Sequence, residues 1–182
     1  MNIQRHARRT LAGLTICLAF NAAPAMTASK GGKPDGASDA VLAFYHFHFA
    51  HSKDFLRTNV KRRRRWLTPE LYGLLMNEFR RYDLHLKAHP DDAPYMEGDP
   101  FTNTQEYPDA NRVGTSVMGS DGKALVPVTF FWHGRESGKI KVEVIRRGNA
   151  WLISNILGGS NEVDLVTQLR RPMYDAEVKR PD

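Results

Sequence analysis

Apolar and polar residues alternate along residues 112–157, RVGTSVMGSDGKALVPVTFFWHGRESGKIKVEVIRRGNAWLISNIL. A period of two is typical of strands that bury one face. Turns rich in glycine divide the stretch, and the pattern predicts strands at 112–118, 124–133, 139–147 and 150–157. Because such short connections allow only antiparallel pairing of neighbouring strands, we expect a four-stranded meander.

Pro127 lies inside the second of these strands. Since proline cannot donate a hydrogen bond to a ladder, it indicates a sheet edge or a bulge, and a bulge would bend the sheet. Helices lying across a curved sheet would enclose a cone-shaped cavity, and we would expect a ligand to bind there.

The residues before the sheet follow a helical period instead. Ser38 or Asp39 can cap a first helix, and Thr68 followed by Pro69 predicts the start of a second. Each start precedes an apolar stripe at helical spacing. A short C-terminal helix is predicted at 161–170, after the last strand. This order predicts an α+β fold, with N-terminal helices packed on one face of the sheet.

Residues 1–25 have the pattern of a cleavable secretory signal peptide. Three arginines and no acid precede the uncharged run TLAGLTICLAF at 10–20, which is too short to cross a bilayer. Ala23-Pro24-Ala25 offers small residues at the positions that a signal peptidase inspects, so we expect cleavage near Ala25. The protein would then be periplasmic or secreted, with no transmembrane span in the mature chain.

Cleavage would change both the charge and the cysteine content. It removes three arginines and leaves 23 basic against 20 acidic residues, so the net charge falls from +6 to +3. The single cysteine, Cys17, would also be lost, which excludes disulfides, thiol catalysis and cysteine-ligated metals. A mildly basic exported domain suits an anionic envelope, and we expect no nucleic acid partner there.

The mature chain is expected to form one domain. The polar, glycine-rich residues 26–37 are typical of a flexible leader. The helical and alternating patterns together span residues 38–171, and residues 172–182 form a C-terminal tail.

Two segments stand out as candidate contact surfaces. Residues 88–111 form a long loop with four prolines and several acids, and loops of this length are often functional. The second is a run of five cations and a tryptophan: Lys61, Arg62, Arg63, Arg64, Arg65 and Trp66. Because adjacent cations repel one another, the run is either a solvated turn or a surface that binds anionic lipid, lipopolysaccharide or an acidic partner.

The order of these segments resembles a family of exported bacterial proteins of unknown function with an NTF2-like (cystatin-like) α+β fold. The resemblance covers roughly residues 38–171. It is carried by Phe44-Tyr45, LTPEL at 67–71, DPFTNTQEYP at 99–108, GNAWLISNI at 148–156 and the short C-terminal helix. It implies a cone-shaped domain but no established activity, because NTF2-like proteins include isomerases, dehydratases, carriers and interaction modules.

Candidate binding residues come from these segments. Besides the basic run they are Tyr45, Asp99, Phe101, Gln105 and Trp132. Asp99 before Pro100 is also a natural turn residue, and Phe101 and Trp132 could equally be core aromatics.

Catalysis in an NTF2-like cavity would need a buried acid–base pair. Tyr45, His46, Asp99 and His133 are the candidates, but nothing in their spacing indicates that any two converge.

Metal binding has weak support, and no cofactor is expected. His48 and His51 could share a helix face, as could His85 and His89, but a zinc site would need a third ligand.

We therefore expect a non-catalytic envelope protein that binds a protein partner or a small apolar ligand, with the anionic envelope surface as a further partner. An immunity or inhibitor role is a variant of this hypothesis. The alternative is a cavity enzyme that uses a Tyr/His/Asp acid–base pair.

Overall fold

A computed structural model of the chain describes residues 36–92, 96, 98–104, 107–119, 121–158 and 163–171. The predicted signal peptide, residues 26–35 of the predicted leader, Gln105 and the predicted C-terminal tail lie outside the described residues. The last two residues assigned to the leader, Gly36 and Ala37, belong to the first helix.

The described residues form four α-helices and five strands. The helices are α1 (Gly36–Phe49), α2 (Arg57–Arg63), α3 (Pro69–Ala88) and α4 (Leu165–Arg170). The strands are β1 (Ala110–Val113), β2 (Val117–Met118), β3 (Lys123–Trp132), β4 (Arg135–Arg147) and β5 (Ala150–Leu157). A short 3-10 turn, Arg64–Trp66, joins α2 to the segment before α3. The predicted α+β class is confirmed.

All strands pair antiparallel in one sheet of order β1-β3-β4-β5, and β2 pairs with β3 beside β1. The sheet has five strands where the sequence predicts four, because the first predicted strand is divided into β1 and β2. The hairpin between β3 and β4 is also tighter than expected, since His133 and Gly134 alone form its turn, both with positive φ.

Pro127 explains the division of the edge strand. It lies at neither a sheet edge nor a register shift, since β3 has neighbours on both sides and its shift with β4 falls at Phe130/Phe131. The Pro127 carbonyl accepts the Gly114 N–H at 2.8 Å, so its missing N–H faces the same edge. The Gly114 carbonyl instead accepts the Ser38 hydroxyl at 3.0 Å, and the edge strand resumes only at Val117.

The core lies between the sheet and the helices. Alternate residues of β3 and β4 point into it: Val126, Val128, Phe130, Ile140, Val142 and Val144. Opposite them lie Val41, Phe44 and Tyr45 of α1, Leu71 and Leu75 of α3, and Leu165 and Leu169 of α4. Apolar burial of this kind is the main source of stability for a domain that has no disulfide among these residues.

Trp132 departs from the predicted core face. It is the last residue of β3 and is 45 % exposed, and its ring is tilted by 43° against that of His133. α1 ends at Phe49, which contacts the Phe130 ring, so no further turn of that helix extends over Trp132.

Candidate functional site

The basic run folds so that one of its five cations is buried. Arg63 is the last residue of α2 and is 1 % exposed, whereas Lys61, Arg62, Arg64 and Arg65 are exposed. In a helical turn successive side chains point about 100° apart, so a run of five must direct at least one toward the domain. The run is therefore neither a simple solvated turn nor a uniform charged surface.

Arg63 joins a buried network with His48 and Asp99. Its Nε donates to His48 Nδ1 at 2.8 Å, and His48 Nε2 lies 2.6 Å from Asp99 Oδ2. All three side chains are almost fully shielded from water. The remaining Arg63 nitrogens donate to the carbonyls of Asn59 and Ser52, both at 2.8 Å, so each of the three guanidinium nitrogens has an acceptor.

The protonation state of the His48 ring follows from its neighbours. Arginine has only donors, so Nδ1 must accept and can carry no proton. The proton of the neutral ring then sits on Nε2 and is donated to the Asp99 carboxylate. A neutral imidazole thus lies between a buried cation and a buried anion.

Asp99 also organises the loop that follows it. Its Oδ1 accepts the Phe101 N–H at 3.0 Å, and its Oδ2 accepts the Thr102 hydroxyl at 3.0 Å. The Tyr45 hydroxyl donates to the Phe101 carbonyl at 2.6 Å. Burial, with a smaller contribution from Asp99, raises the pKa of Tyr45 well above its ordinary value, so the phenol keeps its proton.

The structure therefore brings Tyr45, Asp99 and Phe101 together, but in the interior. Neither of the two grooves described below is lined by any of them. His46 is exposed on α1, and His133 projects from the β3–β4 turn with Asp109 as its neighbour. Tyr45 and Asp99 are buried whereas His46 and His133 are exposed, so the four acid–base candidates do not converge on either of these grooves.

The exposed cations line a groove of about 640 Å³. Its walls include Lys61, Arg62, Arg64, Arg65, Tyr72 and Leu152. The Thr68 N–H donates to the Ile153 carbonyl at 2.9 Å, and Leu67 forms a parallel bridge with Ile153. These bonds place the basic turn against β5 and create the groove between them.

A second groove has a volume of about 720 Å³. Arg65 and Leu152 line both grooves, so the two adjoin. Trp66, Arg146 and Trp151 line the second groove, together with Asp39, the single acid among the residues that line either one.

The exposed cations of the basic run have no acidic partner within ion-pair distance among the residues that the structure describes. Aromatic rings lie beside them instead. The Arg65 guanidinium lies 3.9 Å from the centroid of the Trp66 ring, and that of Arg64 lies 5.2 Å from Tyr72. Such contacts contribute about 0.5–1 kcal/mol at exposed sites and leave the N–H donors available to an anion.

Within the described ranges no group of three or more histidine, cysteine or acidic side chains is arranged to hold a metal ion. No described helix has the length and apolar character needed to span a bilayer.

Neither protein-family models, nor curated proteins, nor solved structures gave a match to this chain.

Several residues of this region carry no signal of their own in the sequence. His48 is one of several histidines, and nothing local links it to Arg63 or Asp99. Arg146 and Trp151 are different, because the Gly148-Asn149 turn sets the register that places them opposite each other on β4 and β5. That pairing could have been read from the hairpin.

Proposed function

We propose that this chain is an exported, non-catalytic binding protein of the cell envelope, and that its basic turn recognises an anionic partner. One observation carries the proposal. Four exposed cations, none with an acidic partner among the residues that the structure describes, line a groove, and the buried side chain of the fifth fixes the turn that presents them.

The burial of Arg63 separates this surface from an ordinary solvated charge run. Burying a cation costs several kcal/mol unless partners compensate it, and here three acceptors do so. Mutual repulsion of the remaining cations adds to the cost of the turn. An anionic partner would relieve that repulsion, which gives the arrangement a use in binding.

The interior favours recognition on the surface over catalysis in a cavity. An NTF2-like cone would have its cavity between α1 and the curved sheet. In this chain the aromatic rings of Phe44, Tyr45, Phe101 and Phe130 meet there with centroids 5.0–5.5 Å apart. These contacts support an NTF2-like domain whose interior is filled by side chains, and they disfavour a small apolar ligand.

The partner that fits is an acidic envelope protein or another anionic component of the envelope. Arginine predominates among the exposed cations, and its planar guanidinium binds carboxylates and phosphates with two parallel hydrogen bonds.

Crosslinking in living cells tests the proposal, with the tagged full chain expressed at native level. Arg62→Gln/Arg64→Gln removes two groove cations, and Lys87→Gln/Lys141→Gln removes the same charge from exposed positions outside both grooves. We expect the first pair to reduce capture of the acidic partner about tenfold and the second to leave it within about twofold.

Equal capture by the two double variants, or no reproducible acidic partner, would overturn the proposed function. An enzymatic activity abolished by Tyr45→Phe would do the same.

A further inference from the structure

We infer that the two adjoining grooves bind one extended acidic glycan, a chain of sugar rings that carries carboxylate or phosphate groups. This inference rests on the proposed function and specifies the class of its partner.

The two grooves are continuous with each other. Arg65 and Leu152 belong to both grooves, so a ligand can pass from Tyr72 on one side to Trp151 on the other without leaving the protein surface. The two grooves are open and have volumes of about 640 and 720 Å³, within the range of small-molecule sites. A concave site of this size fits successive units of a chain better than the broad face of a folded protein.

The second feature is the repeated pairing of a cation with an aromatic ring. Arg64 lies over Tyr72 and Arg65 over Trp66. Arg146 and Trp151 are direct partners in the β4–β5 register and line the second groove together. Two cation–ring contacts and one cross-strand pairing of an arginine with a tryptophan therefore lie along the grooves.

An acidic glycan presents the matching chemistry. Its sugar rings have apolar faces that pack on aromatic side chains, and its acid groups lie at the ring edges within reach of neighbouring guanidinium groups. Asp39 is the single acid along the grooves, so the electrostatic potential favours a polyanion throughout.

A lipid surface fits less well. Membrane binding by a soluble domain uses protruding apolar side chains beside the cations. The exposed large apolar residues of the described chain, such as Leu56, Leu84 and Met118, line neither groove. Single-stranded nucleic acid shares the cation and ring chemistry and is an outcome of the test below.

The experiment measures binding of short alginate oligomers, a carboxylated glycan, to the purified protein. Tryptophan fluorescence is the readout, in a Trp132→Phe background that removes the exposed indole outside the grooves. Neutral dextran, inorganic polyphosphate, single-stranded DNA and anionic phosphatidylglycerol vesicles serve as comparison probes.

The decisive variant is Arg146→Gln, with Arg147→Gln as its matched control. Both residues are exposed, adjacent and equal in charge, but only Arg146 lines a groove. We expect Arg146→Gln to weaken alginate binding about tenfold and Arg147→Gln to change it less than about twofold. Trp151→Ala should weaken binding of alginate more than binding of polyphosphate, and thermal unfolding checks that each variant is folded.

Alginate should bind about tenfold more tightly than polyphosphate of equal charge, and dextran should not bind measurably. Equal affinity for alginate and polyphosphate would overturn the glycan inference, because charge alone would then explain binding. Tighter binding of DNA or vesicles, or equal effects of the two arginine variants, would overturn it as well.

Failure of the glycan inference can be told apart from failure of the proposed function. If Arg62→Gln/Arg64→Gln abolishes capture in cells while Arg146→Gln behaves like Arg147→Gln, the glycan inference is wrong and the proposed function stands. If capture in cells is unchanged by Arg62→Gln/Arg64→Gln and alginate binding is unchanged by Arg146→Gln, the proposed function is wrong and the glycan inference falls with it.

Discussion

The Nε–H of Arg63 donates to Nδ1 of His48 across 2.8 Å, and both side chains are shielded from solvent. The other ring nitrogen of His48 contacts Asp99, so three segments far apart in the chain meet at one histidine. This contact links the basic turn to α1 and to the loop that begins at Asp99. Its integrity determines how the groove cations are presented.

Arg63→Gln should destabilise the domain far more than the same change at its neighbour. It leaves the buried Asp99 carboxylate without its compensating cation, which costs about 3–5 kcal/mol in the free energy of unfolding. Arg62→Gln, on the exposed side of the same turn, should change it by no more than about 0.5 kcal/mol. Urea denaturation measures both, and similar values for the two variants would contradict the network described above.

His48 should be present as a single tautomer. At neutral pH the ring should carry its single proton on Nε2, because Nδ1 accepts from Arg63. Nitrogen-15 NMR of histidine-labelled protein distinguishes the two tautomers, and the exposed His46 is an internal reference. A proton on Nδ1 would contradict the assigned donor and acceptor roles.

Two glycine-to-alanine variants should shift stability in opposite directions. A Cβ at Gly114 would lie 2.8 Å from Cγ of Pro127, so Gly114→Ala should cost about 1–3 kcal/mol. A Cβ at Gly73, inside α3, meets no atom within 4 Å, and Gly73→Ala should add about 0.5–1 kcal/mol through better helix propensity. Thermal or urea unfolding measures both, and a neutral Gly114→Ala would show that the edge of the sheet can move.

Glu78 gives a dependence of stability on pH. Burial raises the pKa of its carboxyl above the ordinary value, and Arg81 opposes that shift. The folded state therefore holds the Glu78 proton more tightly than the unfolded state. The contribution of protonated Glu78 to the free energy of unfolding is fully present below the unfolded pKa and is lost as pH rises through the folded pKa.

Glu78→Gln should accordingly be more stable than the wild type at neutral pH, by up to about 1 kcal/mol, with the difference vanishing near pH 4. The Glu78 Oε1 has no hydrogen-bond partner among the described residues, but Oε2 lies 3.4 Å from Nη1 of Arg81, and loss of that ion pair limits the gain. Glu70→Gln, exposed on the same helix, should show no gain that grows with pH. Urea unfolding at several pH values measures the differences. A Glu78→Gln variant whose stability relative to the wild type falls as pH rises would contradict the raised pKa of Glu78.

Local patterns predicted most of the secondary structure. The strand that contains Trp151 was placed at 150–157 as the structure has it, and the second long helix begins after Thr68, whose side chain accepts the Leu71 N–H. The division of the edge strand into β1 and β2 was harder to predict, because it depends on which side of β3 the missing N–H of Pro127 faces. That orientation is a property of the sheet and not of the residue.

The candidate site was predicted only in part. The basic run was identified by composition, and four of its five cations line a groove. The sequence does not show that Arg63 turns inward, nor that Trp132 is exposed while Trp151 lines a groove. These outcomes depend on which face of α2 is turned toward α1 and on where α1 ends over the sheet.

Local sequence patterns are sufficient to predict the α+β class and the order of helices and strands, because the periods of 2 and 3.6 follow from backbone geometry within each segment. Which cation is buried depends on the folded chain, since Arg63 meets His48 across 15 positions and His48 meets Asp99 across 51. Burial of a charge is stable only where distant partners converge on it, and no local pattern records that convergence.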